Sequence, residues 1–350
     1  MGSVTDGQKP TVLLVESTVR EFDPEQWDRI RSRFNIIKYD CKDVDEFCER
    51  LSPGGAYSQI DAIVRVGWLK AGPFASHLLF RGRAVELYPR SLKVICCTGH
   101  GYDAADLPAL TRRGILYANT PDTCTEAVAN TALYLILNTF RYFTMAEHAV
   151  RTDRWLDSRQ LGPVSVDPID KVLGVVGMGD IGICIARKAA LGLGMKIHYY
   201  NRKPRSDLGE VLPGGAEYHE SLDSLLRVSD CICLACPLTP ETQNMLSTEQ
   251  FALAKEGGMR IVNIARGGLI DEDALLQAIK SGKVVGVGLD VHANEPGVNP
   301  ALRENYWTTL LPHIGVCSRT SWLNFDRKSL ENLEQYFYGD RRKVTAVNEV

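Results

Sequence analysis

The sequence predicts an α/β fold made of two doubly wound domains, each built around a parallel sheet. Its 350 residues exceed the roughly 250 to 300 that one hydrophobic core usually serves. Short apolar runs alternate with helical patterns along most of the chain, an order typical of βαβ units. Residues 162–170, with Pro163 and Pro168, interrupt this alternation and separate two series of strands.

The first series contains five predicted strands, at residues 11–16, 35–39, 61–66, 93–97 and 115–118. Asp23 before Pro24 predicts a helix start, because Asp caps free amides and Pro suits the first helical position. One long helix is predicted over residues 123–150, and another over residues 318–338. The charged tail, residues 339–350, is expected to be loosely attached. The second domain is therefore an insertion if the last helix packs on the first domain.

Composition excludes several classes of function. A net charge of -3 without long runs of like charge does not favour binding to nucleic acid or to a membrane surface. The start of the chain lacks a secretory pattern, and no apolar stretch approaches the roughly 18 residues of a membrane span, so we expect a cytoplasmic protein. The ten cysteines lack disulfide or zinc spacing and are expected to be buried thiols. No metal is expected.

A glycine motif follows a predicted strand in the sequence VLGVVGMGDIG, residues 172–182. Gly177 allows a tight turn, Gly179 lets the backbone approach a pyrophosphate, and Gly182 allows close packing of helix and strand. The amides at the start of the next helix favour an anion. The motif therefore predicts a Rossmann dinucleotide-binding domain.

The next strand, residues 196–200, indicates which dinucleotide is preferred. NAD-binding domains usually carry an acidic residue there that bonds the ribose 2′-hydroxyl. Here the strand is followed by Asn201, Arg202, Lys203 and Arg205, and such cations can neutralise a 2′-phosphate. We predict NADP, with NAD as the alternative and a plain solvent-exposed basic loop as the structural alternative.

Three further blocks follow predicted strands: VNIARGGLID at residues 262–271, GVGLDVHANEP at 286–296 and LPHIG at 311–315. With the glycine motif, they resemble the D-isomer-specific 2-hydroxyacid dehydrogenase family, and the NADP-preferring branch with D-mandelate dehydrogenases and glyoxylate/hydroxypyruvate reductases in particular. The resemblance implies a flavodoxin-like substrate domain at residues 1–122 and 318–350. It also implies an inserted Rossmann domain at residues 123–317, and a homodimer.

The chemistry of 2-oxo acid reduction needs the residue types that the resemblance singles out. A cation must hold the carboxylate and polarise the ketone, and an acid must protonate the new alkoxide. Arg266 is the expected clamp, since a guanidinium can bind a carboxylate through two bonds. His313 is the expected acid, and Glu295 would orient its ring and favour its charged form.

The resemblance also implies the remaining site residues. Cofactor contacts are expected from Gly177, Gly179, Asp180, Ile181, Gly182, Asn201, Arg202, Lys203, Arg205, Pro237, Thr242, Ile264, Ala265, Arg266, Asp290, His313 and Gly315. Substrate contacts are expected from Val66, Gly67, Trp68, His100, Gly101, Arg266 and His313.

Two alternatives remain open at this point. Trp68, Trp322 and Phe325 favour a 2-oxo acid with a bulky or aromatic side chain, as in a D-mandelate dehydrogenase, but a glyoxylate/hydroxypyruvate reductase would carry the same motifs. A dinucleotide-sensing interaction module, similar to the C-terminal binding protein corepressors, would also retain the three catalytic residue types.

Overall fold

The computed structural model describes residues 9–16, 23–66, 75–212 and 214–350. The chain divides into two compact units, one from Met1–Cys124 with Cys317–Val350 and the other from Thr125–Val316.

Twelve strands occur in the described residues: β1 Thr11–Glu16, β2 Asn35–Lys38, β3 Ala62–Val66, β4 Val94–Cys97, β5 Leu116–Ala118, β6 Val172–Val176, β7 Lys196–Tyr200, β8 Glu217–His219, β9 Cys231–Leu234, β10 Met259–Asn263, β11 Val284–Leu289 and β12 Thr308–Leu310. Fourteen α-helices occur in the same residues: α1 Pro24–Arg33, α2 Val44–Leu51, α3 Ser76–Leu79, α4 Arg83–Leu87, α5 Leu107–Arg112, α6 Thr125–Arg141, α7 Phe143–Arg151, α8 Asp180–Leu193, α9 Leu208–Val211, α10 Leu222–Val228, α11 Thr248–Ala252, α12 Glu272–Lys280, α13 Pro300–Arg303 and α14 Arg319–Tyr338.

The first unit contains a five-stranded sheet in the order β2-β1-β3-β4-β5, and every pairing in it is parallel. This is the flavodoxin-like order. Residues of β1 alternate between two cores, with Leu13 in one and Leu14 in the other, because helices cover both faces of the sheet. The helix α1 begins as predicted, with the Asp23 side chain accepting from Gln26 N at 3.2 Å.

The second unit contains a seven-stranded parallel sheet in the order β12-β11-β10-β9-β6-β7-β8. The strand order reverses at β6, as in a Rossmann fold, where ligands bind beyond the carboxyl ends of the strands. The glycine motif and the three blocks singled out in the sequence follow β6, β10, β11 and β12. The predicted fold class is confirmed.

The prediction of a single helix over residues 123–150 is wrong, because the helix is interrupted at Tyr142 and forms α6 and α7. Tyr142 has a left-handed φ of 53°, and its hydroxyl donates to Val285 O at 2.6 Å. The Asn138 side chain accepts from Thr144 N at 2.9 Å and thereby caps the first turn of α7. Tertiary contacts within the second unit therefore override a continuous helical pattern.

The expectation that the tail, residues 339–350, is loosely attached is also wrong. Val347 N donates to Tyr117 O at 2.9 Å, and the Asn348 side chain accepts from Tyr117 N at 2.7 Å. The same Asn348 donates to Ile115 O at 3.0 Å. These bonds satisfy backbone groups at the edge strand β5, which would otherwise have to be met by water.

None of the ten cysteines, all of which lie in the described residues, forms a disulfide. Eight are buried, as expected, whereas Cys236 is half-buried and Cys317 is exposed. None of the helices in the described part of the chain combines the length and apolar character needed to cross a lipid bilayer.

Candidate active site

The glycine loop connects β6 to α8 and leaves room for an anion. Gly177 has a φ of 98°, and a Cβ there would lie 2.8 Å from the Ala235 carbonyl carbon. A Cβ on Gly182 would lie 2.1 Å from Gly177 O. A Cβ on Gly179 would instead meet no described atom within 4 Å. Packing therefore requires glycine only at Gly177 and Gly182, whereas the space beside Gly179 is available to a ligand.

The start of α8 fits the pyrophosphate of a dinucleotide. Gly179 is its N-cap, and no side chain of the described residues caps the helix there. Asp180 and Ile181 form the first turn, so their amides lie among the groups that have no partner within the helix. With the space beside Gly179, these donors form an anion site that suits two phosphate groups.

In the basic loop after β7, one of the three cations, Arg205, has partners within the protein. Arg202 and Lys203 are exposed, but Arg205 Nε donates to Asp207 Oδ1 at 2.9 Å, and its Nη1 donates to Met178 O at 3.2 Å. The Asp207 carboxylate therefore neutralises Arg205, and this acidic residue was missed in the sequence. The pKa of the Arg205 guanidinium is raised, mainly by the hydrogen bond from Arg205 to Asp207.

Asn201 stands where NAD-binding domains usually have an acidic residue, and it has a structural partner. Its Oδ1 accepts from Met178 N, inside the glycine loop, at 2.7 Å. The amide therefore holds the loop against the end of β7. After β9, Thr242 Oγ1 donates to Pro237 O at 2.9 Å and shapes the neighbouring loop.

Arg266 lies in the turn after β10, next to Ile264 and Ala265, and Asn263 organises that turn. The buried Asn263 side chain donates to Arg266 O at 2.8 Å and accepts from Ala265 N at 3.0 Å. Arg266 is a half-buried residue, and its Nη1 donates to Ala265 O at 2.7 Å. The turn thus holds the arginine at the carboxyl end of the sheet. Asn263 was missed, although a polar residue ending an apolar strand was a visible signal.

Gly267 brings this turn against the loop that follows β11. A Cβ on Gly267 would lie 2.0 Å from the His292 carbonyl carbon, so no other residue fits without moving one of the two loops. His292 N in turn donates to Glu295 Oε1 at 3.1 Å. A continuous series of contacts therefore runs from Arg266 to Glu295.

His313 and Glu295 form the expected pair. His313 Nδ1 lies 2.8 Å from each oxygen of the Glu295 carboxylate, and the histidine is only 7% exposed. Its φ of 56° is left-handed, which carries a conformational cost in a residue other than glycine. The carboxylate fixes the ring through Nδ1, so exchange of a proton with a substrate would take place at the other ring nitrogen, Nε2.

Asp290 secures the backbone that follows His313. The carboxylate is buried, with Oδ1 accepting from Ile314 N and Oδ2 from Gly315 N, both at 2.8 Å. Burial raises the pKa of the Asp290 carboxyl to about 6, although the two amides lower it. Both oxygens are therefore engaged with the protein, in addition to any contact with the nicotinamide carboxamide that the resemblance implied.

His292 is a further residue that sequence reasoning missed. Its Nε2 lies 2.9 Å from Leu311 O, the carbonyl two residues before His313. The His292 side chain thus ties the loop after β12 to the loop that carries Glu295. Its position three residues before Glu295 in a recognisable block was the only signal.

The predicted substrate loops lie in the first unit. Val66 is buried at the end of β3, and the exposed His100 and Gly101 follow β4, where His100 O accepts from Asn119 Nδ2 at 2.7 Å. Gly67 and Trp68 lie outside the described residues. The second unit by itself brings together the cation, the paired histidine and the anion site.

These features define a class: a two-domain oxidoreductase with a dinucleotide-binding domain and an acid paired with a carboxylate. Residues 133–315 match the family described as D-isomer specific 2-hydroxyacid dehydrogenase, NAD binding domain. The chain belongs to this family, and it is an NAD(P)-dependent enzyme that acts on 2-hydroxy acids or the corresponding 2-oxo acids.

Three relatives illustrate the similarity. The 4-methyl-2-oxopentanoate reductase A of Aspergillus oryzae is 36% identical over 326 residues, which cover 93% of this chain and 94% of the relative. The holo structure of Rhodotorula graminis D-mandelate dehydrogenase has a TM-score of 0.90 at 34% identity and covers 98% of each chain. A glyoxylate reductase of Thermococcus kodakarensis is 41% identical over 228 residues, 64% of this chain and 67% of the relative.

Proposed function

We propose that this enzyme reduces 2-oxo acids that carry a bulky side chain to D-2-hydroxy acids, with NADP(H) as its cofactor. His313 is the proton donor, Glu295 its orienting partner and Arg266 the clamp on the substrate. The observation that carries the proposal is the pairing of the buried His313 with Glu295, in which His313 Nδ1 lies 2.8 Å from both carboxylate oxygens.

The residues divide the work of the reaction as follows. The bound nicotinamide supplies a hydride to the keto carbon. Arg266 holds the substrate carboxylate and draws electron density toward the carbonyl oxygen. His313 Nε2–H then protonates that oxygen as it becomes an alkoxide, while Glu295 stabilises the charged ring. In the oxidation direction, neutral His313 takes the same proton back.

The size of the preferred substrate is proposed from the relatives. Among relatives that match more than nine-tenths of this chain, a reductase of 4-methyl-2-oxopentanoate and a D-mandelate dehydrogenase act on bulky acids and are 36% and 34% identical to it. A glyoxylate reductase of similar coverage is 32% identical. We therefore expect benzoylformate and 4-methyl-2-oxopentanoate to be better substrates than glyoxylate.

A glyoxylate/hydroxypyruvate reductase is the second candidate, favoured by the 41% identity to a glyoxylate reductase. Rates of NADPH and NADH oxidation with glyoxylate, hydroxypyruvate, 4-methyl-2-oxopentanoate and benzoylformate distinguish the two. Higher kcat/KM for the bulky acids supports the proposal, whereas a preference for glyoxylate would replace it with the second candidate.

The preference for NADP rests on the loop after β7. Asn201 adds no negative charge there, and Arg202 and Lys203 are exposed cations able to bind a 2′-phosphate. Removing Arg202 and Lys203 together by substitution with Ala should raise the KM for NADPH and leave that for NADH nearly unchanged. An equal effect on both cofactors would contradict the assignment.

We also propose that the enzyme is a homodimer that associates through the dinucleotide-binding domain. Large apolar side chains are exposed in and just after α7, among them Phe143, Val150, Trp155 and Leu156. An apolar surface of this kind is typical of a protein interface. The cytoplasmic location stays a prediction.

A further inference from the structure

A cluster of three side chains lies at the edge of the seven-stranded sheet, on other strands than those that the proposed catalytic residues follow. His198 lies on β7, and Glu217 and His219 lie on the edge strand β8. The register pairs His198 with Glu217, and residues two apart on a strand point to the same face. Folding therefore brings the His198 imidazole to the Glu217 carboxylate and to the His219 imidazole, which lies 21 residues away in the sequence.

The distances within the cluster are those of groups that can share one ion. His198 Nδ1 lies 2.9 Å from His219 Nε2, and Glu217 oxygens lie 3.6 Å from His198 Nε2 and 4.0 Å from His219 Nε2. One ligand atom from each residue can be chosen so that all three lie within 4.8 Å of one another. The two imidazoles are largely buried, whereas the Glu217 side chain is 67% exposed.

Ser224 sets the orientation of one imidazole. Its hydroxyl donates to Ser221 O at 2.8 Å, so at its 3.2 Å contact with His219 Nδ1 the oxygen accepts. His219 then carries its proton on Nδ1, and its Nε2 lone pair is directed toward His198. A hydrogen bond on the outer nitrogen that fixes the tautomer is typical of histidines that bind metals.

We propose that His198, His219 and Glu217 bind a divalent transition-metal ion of the zinc class. Two imidazole nitrogens and a carboxylate suit Zn²⁺ far better than Mg²⁺ or Ca²⁺, which take oxygen ligands. Ligands about 2.05 Å from a tetrahedral ion are about 3.3 Å apart. The two ring nitrogens therefore need only a small separation, and the exposed Glu217 side chain closes by rotation. Water supplies the fourth ligand from the solvent side.

Such an ion would stabilise the fold and would not take part in the reaction. The strands β6 and β9 separate β7 from β10 in the sheet, and the proposed catalytic residues follow β10, β11 and β12. Binding to both β7 and β8 would tie the edge strand to its neighbour and stabilise the folded state by mass action. The proposal does not depend on the substrate or cofactor preference argued above.

Calorimetric titration of the full-length protein, freed of metal with EDTA, with ZnCl₂ tests the site. We expect one site in the wild type, at least ten-fold weaker binding in Glu217→Gln, and no binding at this site in His198→Gln. Glu220→Gln is the matched control, because Glu220 is an exposed neighbour outside the cluster. Glu217 is also exposed, so its substitution tests the site without endangering the fold.

Two additional measurements address zinc binding to the cysteines. Cobalt(II) bound to His and Glu gives visible ligand-field bands without intense thiolate charge-transfer bands, and these bands should vanish in His198→Gln. Zinc should also raise the Tm of the wild type and of Glu220→Gln, but not that of His198→Gln. Thiolate bands that persist in His198→Gln, or equal zinc affinity in Glu217→Gln and the wild type, would overturn the proposal.

Discussion

At the scale of single residues, the site depends on how the backbone around His313 is held. Glu295 binds the ring, while Asp290 binds the two amides that follow it. A left-handed φ at His313 persists because these contacts stabilise it from both sides. The ring is thus positioned before any substrate arrives, and each of the two carboxylates has a separate task.

Glu295→Gln should lower kcat by about 10² or more, because an amide cannot stabilise the imidazolium that a general acid requires. NADPH affinity, measured by fluorescence titration, should stay within a few-fold of the wild type. Glu304→Gln, at an exposed residue that ends α13, should leave both quantities unchanged. A near-normal kcat in Glu295→Gln would remove Glu295 from the mechanism.

At the scale of elements, the site is assembled where loops after neighbouring parallel strands meet. Gly267 and His292 belong to the loops after β10 and β11, and their backbones approach too closely for a side chain. At the other end of the chain, α14 covers the sheet of the first unit and carries a buried carboxyl group, Asp326. Each feature makes a prediction about stability.

Gly267→Ala should push the two loops apart, with a cost of about 1 to 3 kcal/mol typical of overpacking. We expect kcat to fall at least ten-fold and Tm to fall by several degrees. Gly268→Ala is the matched control, since its nearest neighbours are the side-chain ends of Leu238 and Gln243, at 3.1 and 3.2 Å, which can move. Equal effects of the two substitutions would argue against close packing as the cause.

Asp326→Asn should make stability less dependent on pH. Burial, and secondarily the charge of Glu16, raise the pKa of Asp326 to about 7, whereas an unfolded Asp titrates near about 3.9. Between about pH 4 and pH 7, Asp326 is therefore protonated in the folded state but ionised in the unfolded state. The free energy of unfolding consequently falls as pH rises through this range.

The substitution should therefore raise Tm at pH 8 and change it little near pH 4. Three pKa units correspond to an effect on the order of 2 to 4 kcal/mol above pH 7. Thermal melts across this range test the prediction. Asp28→Asn serves as the control, because the Asp28 side chain is 78% exposed. A parallel shift at every pH would show that Asp326 does not titrate as stated.

At the scale of the whole molecule, the exposed apolar side chains of the second unit are the main feature that one chain does not account for. Trp155 is 70% and Leu156 63% exposed. Contact of such large apolar side chains with water is unfavourable, and burying them against a partner surface would stabilise the complex.

A double variant in which Glu replaces both Trp155 and Leu156 should be a monomer instead of the proposed dimer. Light scattering coupled to gel filtration measures the mass, and the wild type should elute at twice its 38.8 kDa chain mass. Val228→Glu, at a partly exposed residue of α10, is the control and should remain dimeric. A monomeric wild type would refute the proposal directly.

Much of the fold and of the candidate site could be predicted from local patterns. Buried parallel strands appear as short apolar runs, so β1 and β7 were predicted to the residue. Glycines at Gly177 and Gly182 reflect backbone constraints that any sequence would have to meet. Arg266, Glu295 and His313 were recognisable because they stand in motifs immediately after strands, and the structure pairs the last two.

Contacts between distant residues could not be predicted, because they depend on how the elements pack. Arg205 donates to Met178 O, the contact between Tyr142 and Val285 lies where the predicted helix breaks, and Asn348 binds the edge of β5. The grouping of His198 with His219 arises in the same way, since it requires the β7–β8 register. A sequence shows which groups are present and which local conformations they favour, but only the packed chain selects their partners.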